Sequence, residues 1–169
     1  MPPGPGRPAV PGLPVPIMSS PVAIRPERPD QPEVVALLDT LDAYLRSLFP
    51  PEANHILDVQ ALLDPGICFF VARRDGVAIG TAAVRRAEGY GEVKRMFVAP
   101  GERGQRIGAQ LLHALEDRLR ADGIALAKLE TGRDQTAALR LYERCGYTRC
   151  AAFGGYPDNG LSVFMAKAL

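Results

Sequence analysis

Six consecutive residues, Arg103-Gly104-Gln105-Arg106-Ile107-Gly108, combine two glycines with two arginines. The apolar residues that follow, Ile107, Leu111, Leu112, Leu115 and Leu119, recur at helical spacing. The preceding stretch, Glu92 to Val98, carries Val93, Met96, Phe97 and Val98 and suits a largely buried strand, which Pro100 and Gly101 end. The six residues therefore occupy a strand-to-helix turn. The first N–H groups of a helix lack partners inside it and carry partial positive charge. Glycines let a phosphate approach that backbone, and arginines add full charge. The chemistry indicated is anion binding, best suited to a pyrophosphate. Neither a P-loop nor a GxGxxG dinucleotide fingerprint is present. Taken alone, the six residues also fit an ordinary basic turn.

The elements that must position this turn follow from pattern. The chain has 169 residues, enough for one domain with a sizeable core. Lysine plus arginine (20) nearly balance aspartate plus glutamate (19), so nothing demands a nucleic acid or an anionic membrane as partner. No apolar run of about 18 residues is present, so no membrane span is expected. The three cysteines, Cys68, Cys145 and Cys150, are odd in number and lack CxxC spacing. They read as small apolar residues in a reducing, cytoplasmic compartment, and not as disulfides or metal ligands.

Residues 1–21 hold eight prolines and no periodicity, which predicts a disordered or polyproline tail before a domain spanning 22–169. The stretch lacks the apolar core of a signal peptide, and Met18 is a candidate alternative start.

Val22 to Arg25 reads as a first strand. A helix is expected over Pro32–Phe49, with Asp30 as N-cap, and a second over Glu52–Leu63. Cys68–Arg73 and Val77–Arg86 form a hairpin about Asp75-Gly76, and a turn near Glu88–Gly91 leads into the Glu92 strand. After the central helix, capped by Gly123, Ala125–Thr131 is a strand parallel to it, because a helix intervenes. A helix over Asp134–Cys145 and strands over Tyr147–Phe153 and Leu161–Ala166 complete the chain. The fold class is α+β: a mixed, mostly antiparallel sheet of about six to seven strands with helices on both faces.

In this order the elements and motifs resemble the GNAT superfamily of acetyl-CoA-dependent N-acetyltransferases, over nearly all of residues 22–169. Val98-Ala99-Pro100 followed by Arg103 to Gly108 matches the family's pyrophosphate motif, with Arg106 where the family carries a glycine. Leu141-Tyr142-Glu143-Arg144-Cys145-Gly146-Tyr147 matches its Leu-Tyr-x-x-x-Gly-Tyr/Phe motif, and Gln135 stands where the family has an asparagine. The resemblance implies that the strands containing Glu92–Val98 and Ala125–Thr131 splay apart. It implies acetyl-CoA as cosubstrate and no metal. Met96, Phe97 and Val98 would meet the pantetheine arm, and Arg103, Gly104, Gln105, Arg106, Ile107, Gly108 and Ala109 the pyrophosphate, with Gln135 beside them. A homodimer is the assembly the family suggests.

The resemblance makes Tyr142 the general acid; a tyrosine stays protonated near neutral pH. Glu92 is the candidate base, placed by strand alternation on one face with Met96 and Val98. A cross-strand ion pair with Arg85 or Arg86, leaving ordered water as the base, fits it equally. Asp39, Asp42 and Asp58 are carboxylates that could draw a cationic amine, though they also fit a solvated helix face. Tyr156, in the glycine-rich Phe153–Gly160 loop, is the candidate lining residue for the acceptor. His55 could act as a base but equally fits a non-catalytic histidine of its helix, and His113 falls off the apolar stripe and fits a solvent-facing position. The function expected is acetyl transfer to a primary amine of a small molecule, amino acid or protein; the alternative is a non-catalytic acyl-CoA-binding module.

Overall fold

A computed structural model describes residues 19–169. The expectations for the proline-rich tail and for Met18 lie outside these residues, apart from residues 19–21. The elements are β1 (Val22–Pro26), α1 (Pro32–Leu48), β2 (Ile67–Arg74), β3 (Val77–Ala87), β4 (Tyr90–Val98), α2 (Ile107–Ala121), β5 (Leu126–Gly132), α3 (Thr136–Arg144), β6 (Thr148–Arg149) and β7 (Ser162–Ala168). They build one seven-stranded sheet in the order β1-β2-β3-β4-β5-β7-β6, with β4 and β5 the parallel pair. The fold is the mixed α+β arrangement expected, and Asp75 and Gly76 both take the positive φ that a tight hairpin turn requires.

The two-residue period of the strands divides the core. Phe69, Val71 and Ala83 pack with Val34 and Leu38 of α1. Phe70, Ala72, Ala82, Val84 and Val93 pack with Ile107, Leu111, Leu112, Leu115 and Leu119 of α2. Helices therefore cover both faces, because neighbouring side chains in these strands are apolar on both sides. Helix α2 sits so close to β4 that a Cβ at Gly91 would lie 2.2 Å from a Leu119 methyl.

Three local expectations fail, each for a physical reason. Asp30 does not cap α1: Gln31 holds the N-cap position, and the Asp30 carboxylate accepts from the Arg28 guanidinium. No helix forms over 52–63, where only two single 3₁₀ turns appear, at Pro51–Ala53 and Ala61–Leu63. Short polar side chains win there: Asn54 donates to the Phe49 carbonyl, and the Asp58 carboxylate accepts from the Ala61 N–H. The strand expected over 147–153 shrinks to Thr148–Arg149, because Phe153 turns inward onto Phe164 and Gly154 and Gly155 both adopt positive φ.

One irregularity shapes the centre of the sheet. Thr81 pairs with Phe97, but Ala83 pairs with Lys94, so β4 carries one extra residue against β3. Arg95 sits at this bulge with φ +55, and the Thr81 hydroxyl donates to its carbonyl at 2.9 Å. The Arg95 guanidinium donates to Asp42 of α1. The bulge reverses which face the following residues occupy. Met96 and Val98 pack with the α2 cluster, as Val93 does. Glu92 therefore does not share their face, which corrects the simple alternation.

A buried ion pair ties α2 to β7. Lys167 donates to Glu116 at 2.8 Å, and the second Glu116 oxygen is buried without a partner. Breaking the pair by Lys167→Met is expected to destabilise the protein by about 2 kcal/mol, because the buried carboxylate keeps only the half-exposed Arg120 at 3.8 Å as a counter-charge. Adding Glu116→Leu should recover most of that loss, and denaturant unfolding of the single and double variants reads both. In the same assay Gly91→Ala should cost about 2 kcal/mol through overpacking against Leu119.

Candidate active site

The β4–β5 ladder ends where Val93 faces Leu129. Beyond that pair the strands part, and a cleft of about 850 Å³ opens between them. The Ala99 N–H bonds the Ile79 carbonyl on β3 at 2.8 Å. By alternation the N–H groups of Met96 and Val98 point the other way, into the gap, where no β5 residue pairs with them. Such an edge accepts an extended, amide-bearing ligand as if it were a strand. Met96, Phe97 and Val98 all line the cleft.

The turn after β4 closes one end. Arg106 is the N-cap of α2 and takes φ +61, a left-handed conformation that costs a non-glycine residue about 1 kcal/mol. No side chain caps the helix, and its first turn holds no acidic residue. The backbone bond from Gln110 to the Arg106 carbonyl is the first of the helix, which leaves the N–H groups of Ile107, Gly108 and Ala109 without helical partners. These residues line the cleft together with Arg103, Gly104 and Arg106. The site thus combines free amides, the positive end of a helix dipole and two guanidinium groups, a fit for a pyrophosphate.

The two glycines have different reasons. Gly104 has φ +80 with nothing near its missing Cβ, so conformation requires it. Gly108 is required by packing: a Cβ there would lie 2.9 Å from Leu141 of α3. Gln105 departs from expectation. Its side chain is not part of the cleft wall; it accepts from Arg74 at 2.6 Å, and Arg74 also pairs with Glu102, so it tethers the turn. Gln135 lines the cleft, but its carbonyl oxygen accepts from the Gly132 N–H at 2.8 Å and the Thr131 hydroxyl at 3.0 Å. It therefore holds the β5–α3 corner, and only its amide nitrogen is left for a ligand.

Tyr142 is buried on α3, packs edge-on against Tyr147 and reaches the cleft wall. Burial first, and then the negative charge of Glu130, pushes its hydroxyl well above the usual tyrosine range. It stays protonated at every physiological pH.

Glu92 and Tyr156 lie one layer behind the cleft and are not part of its wall. Glu92 is fully buried. One of its oxygens accepts from Arg85 of β3, and the other from the Tyr156 hydroxyl. The cross-strand ion pair with Arg85 forms, whereas Arg86 pairs with Asp122. Lys94 stands between this pair and the cleft, donating to the Tyr156 hydroxyl at 2.6 Å and to the His55 carbonyl at 3.3 Å. Its burial lowers the ammonium pKa, opposed by Glu92 and Glu130.

Glu130, on β5, lines the cleft and accepts from Ser162 at 2.6 Å. Glu130, and the places of Lys94 and Asn54 in the cleft wall, were not anticipated from the sequence. The signal for Glu130 was its alternation with Leu129 at the open end of the strand. Asp42 and Asp58 are engaged by Arg95 and by the backbone. His55 is exposed and sits edge-on to Tyr156, and His113 is an exposed residue of the cleft rim. The three cysteines are free and half-buried. Among the described residues no cluster of His, Cys, Asp or Glu is arranged to hold a metal ion, and no helix is long and apolar enough to cross a membrane.

Comparison with known proteins agrees with this geometry. The family model for the acetyltransferase (GNAT) family matches residues 34–147. An IAA acetyltransferase from Azospirillum brasilense is 47% identical over 150 residues, which is 88% of this chain and 98% of that protein. An aminoalkylphosphonate N-acetyltransferase from Salmonella typhimurium is 36% identical over 92 residues, 51% of this chain and 60% of that protein. Among solved structures, a Klebsiella pneumoniae protein described as an acyl-CoA N-acyltransferase by inference superposes with a TM-score of 0.76 at 36% identity, covering 88% of this chain and 97% of that one. An N-acetyltransferase from Thermoplasma acidophilum, solved with coenzyme A, shares the fold at a TM-score of 0.71 and 18% identity, over 88% of this chain and 99% of that one. The chain belongs to the GNAT family of acetyltransferases, and its reaction is the transfer of an acetyl group from acetyl-CoA to an amine.

Proposed function

We propose that residues 22–169 are the catalytic unit and that acetyl-CoA lies along the splayed edge of β4. Its pyrophosphate meets the amides at the start of α2 and its pantetheine arm the N–H groups of Met96 and Val98. The observation that carries this reading is the uncapped, acid-free N-terminus of α2 opening into the same cleft as the unpaired β4 edge and Tyr142. A reducing compartment, the cytoplasm, suits the three unpaired cysteines.

The acceptor is a small-molecule amine. Two relatives are named for small molecules: the aminoalkylphosphonate N-acetyltransferase above, and a mycothiol acetyltransferase from Thermobispora bispora that is 33% identical over 156 residues, 85% of this chain and 52% of that protein. Acetyl-CoA supplies an acyl group activated as a thioester. Glu130, in the cleft wall, takes a proton from the acceptor ammonium. As the amine nitrogen bonds the acyl carbon and the carbon–sulfur bond breaks, Tyr142 gives its hydroxyl proton to the departing sulfur. The second proton lost by the nitrogen returns to Tyr142 through solvent, so one proton is released overall. Glu92 is the second reading for the base, acting from behind Lys94 through the Tyr156 hydroxyl.

Tyr142→Phe is expected to lower kcat about a hundredfold while calorimetry shows unchanged acetyl-CoA binding. Because its hydroxyl pKa is raised, the wild-type rate should not fall with rising pH until beyond the ordinary tyrosine range; an alkaline loss below pH about 10 would argue against this acid. The two carboxylates separate in a paired comparison. Glu130→Gln should reduce kcat/KM about a hundredfold with little change in melting temperature. Glu92→Gln should mainly lower stability, because Arg85 and Lys94 lose their shared anion. The reverse pattern would assign the base to Glu92.

A further inference from the structure

The acceptor side of the cleft holds a cation that the transfer chemistry does not use. The Lys94 side chain is 9% exposed and forms part of the cleft wall. Two of its three N–H bonds go to Tyr156 and to the His55 carbonyl. Glu92 lies 3.4 Å from its nitrogen, but that carboxylate is also shared with Arg85. Two buried or half-buried cations therefore divide one anion, and the excess positive charge falls on the cleft side.

Glu130 faces this cation. Val93 and Leu129 are the last paired residues of the two strands, so Lys94 and Glu130 are the first positions past the end of the ladder. Their side chains share the face opposite the α2 cluster, where Val93 and Leu129 are buried. Yet the two opposite charges form no ion pair with each other; Lys94 pairs with Glu92, and Glu130 accepts from Ser162. Paired strands stand about 4.8 Å apart, and these have begun to separate. The result is a slot with a positive and a negative wall. Beside it Leu41, Leu45, Phe49 and Ile56 supply an apolar surface. Phe49 is pressed against the Gly132 backbone, where an added Cβ would lie 2.1 Å from its ring, so this surface is fixed at the cleft mouth.

We propose that the acceptor is a free amino acid with an apolar side chain, its carboxylate received by Lys94, its ammonium by Glu130 and its side chain by the surface at Leu45 and Phe49. The proposal rests on the acetyl-transfer reading above and deepens it. A carboxylate completes Lys94 with a charge-assisted hydrogen bond, and the ligand's opposite charges match the two walls. An amine without an anion leaves the buried ammonium incompletely paired, which a site built this way penalises. A peptide N-terminus presents a neutral carbonyl at the same place and is penalised likewise.

The test compares six acceptors with acetyl-CoA: phenylalanine, phenylalaninamide and phenethylamine, and leucine, leucinamide and isoamylamine. Thiol release gives kcat/KM for each. The free acids are expected to exceed their amides and amines by about tenfold to a hundredfold. In Lys94→Met the ratio should fall toward one, mainly through a higher KM for the acids, and Lys94→Arg should keep the preference. Amides or amines used as well as the acids by the wild type would overturn the proposal and leave acetyl transfer to small amines standing. Turnover of none of the six, with acetyl-CoA binding intact by calorimetry, would overturn this proposal and leave acetyl transfer to other small amines standing, whereas loss of acetyl-CoA binding would overturn the reading beneath it. The wild-type comparison decides even if Lys94→Met fails to fold.

Discussion

The structure depends on the extra residue in β4. Arg95, held at φ +55, gives the strand one more residue than β3 can pair. After it, Met96 and Val98 turn toward the α2 side, and the ladder to β5 has already stopped at Val93. A parallel strand pair that stayed in register would bury these backbone amides against each other and close the cleft. The conformation is costly. A non-glycine residue in the left-handed region is strained by about 1 kcal/mol or more, and the Arg95 Nε is buried without a partner. The guanidinium's bond to Asp42, its approach to the Leu38 carbonyl and the Thr81 hydroxyl offset that cost. Helix α1 thereby fixes the irregularity beside the proposed binding edge.

The same economy governs the turn after β4. Three helix amides are left without a capping side chain, and Glu102, the nearby carboxylate, is drawn off by Arg74. An acidic residue in the first turn would stabilise α2 and spoil its attraction for a phosphate. Arg106 accepts backbone strain where the motif it resembles has glycine, and Gly108 lets α3 approach α2 closely enough to bring Tyr142 to the cleft. The proposed phosphate turn and the proposed acid are thus linked by packing: the glycine that would be credited to a phosphate is needed by Leu141.

On the acceptor side a layer of polar groups stands behind the cleft. Arg85, Glu92, Tyr156 and Lys94 form a connected chain along one face of the sheet to the cleft wall. Glu92 is its centre, with an acceptor bond at each oxygen. The chain orients Lys94, and the edge-on rings of His55 and Phe153 with the tilted ring of Phe164 around Tyr156 hold the loop that brings Tyr156 into place.

By itself the sequence determined the strand, turn and helix around Arg103–Gly108, the seven strands with their hairpin and crossover connections, and the helix that carries Tyr142. These rest on period-two and period-3.6 patterns, on Asp-Gly and Pro-Gly turns and on short motifs, all of them local. It did not determine which face Glu92 occupies, because a bulge at Arg95 changes parity and nothing in the strand's composition announces a left-handed arginine. Nor did it reveal that Gln105 ties the turn to Arg74, that Tyr156 lies behind Lys94, or that Glu130 reaches the cleft. The segment 52–63 looked helical by apolar spacing, yet Asn54 and Asp58 drew its backbone into local bonds. Tertiary structure decided these points because each depends on partners distant in sequence: Asp42 for Arg95, Arg74 for Gln105, and β5 for the end of β4.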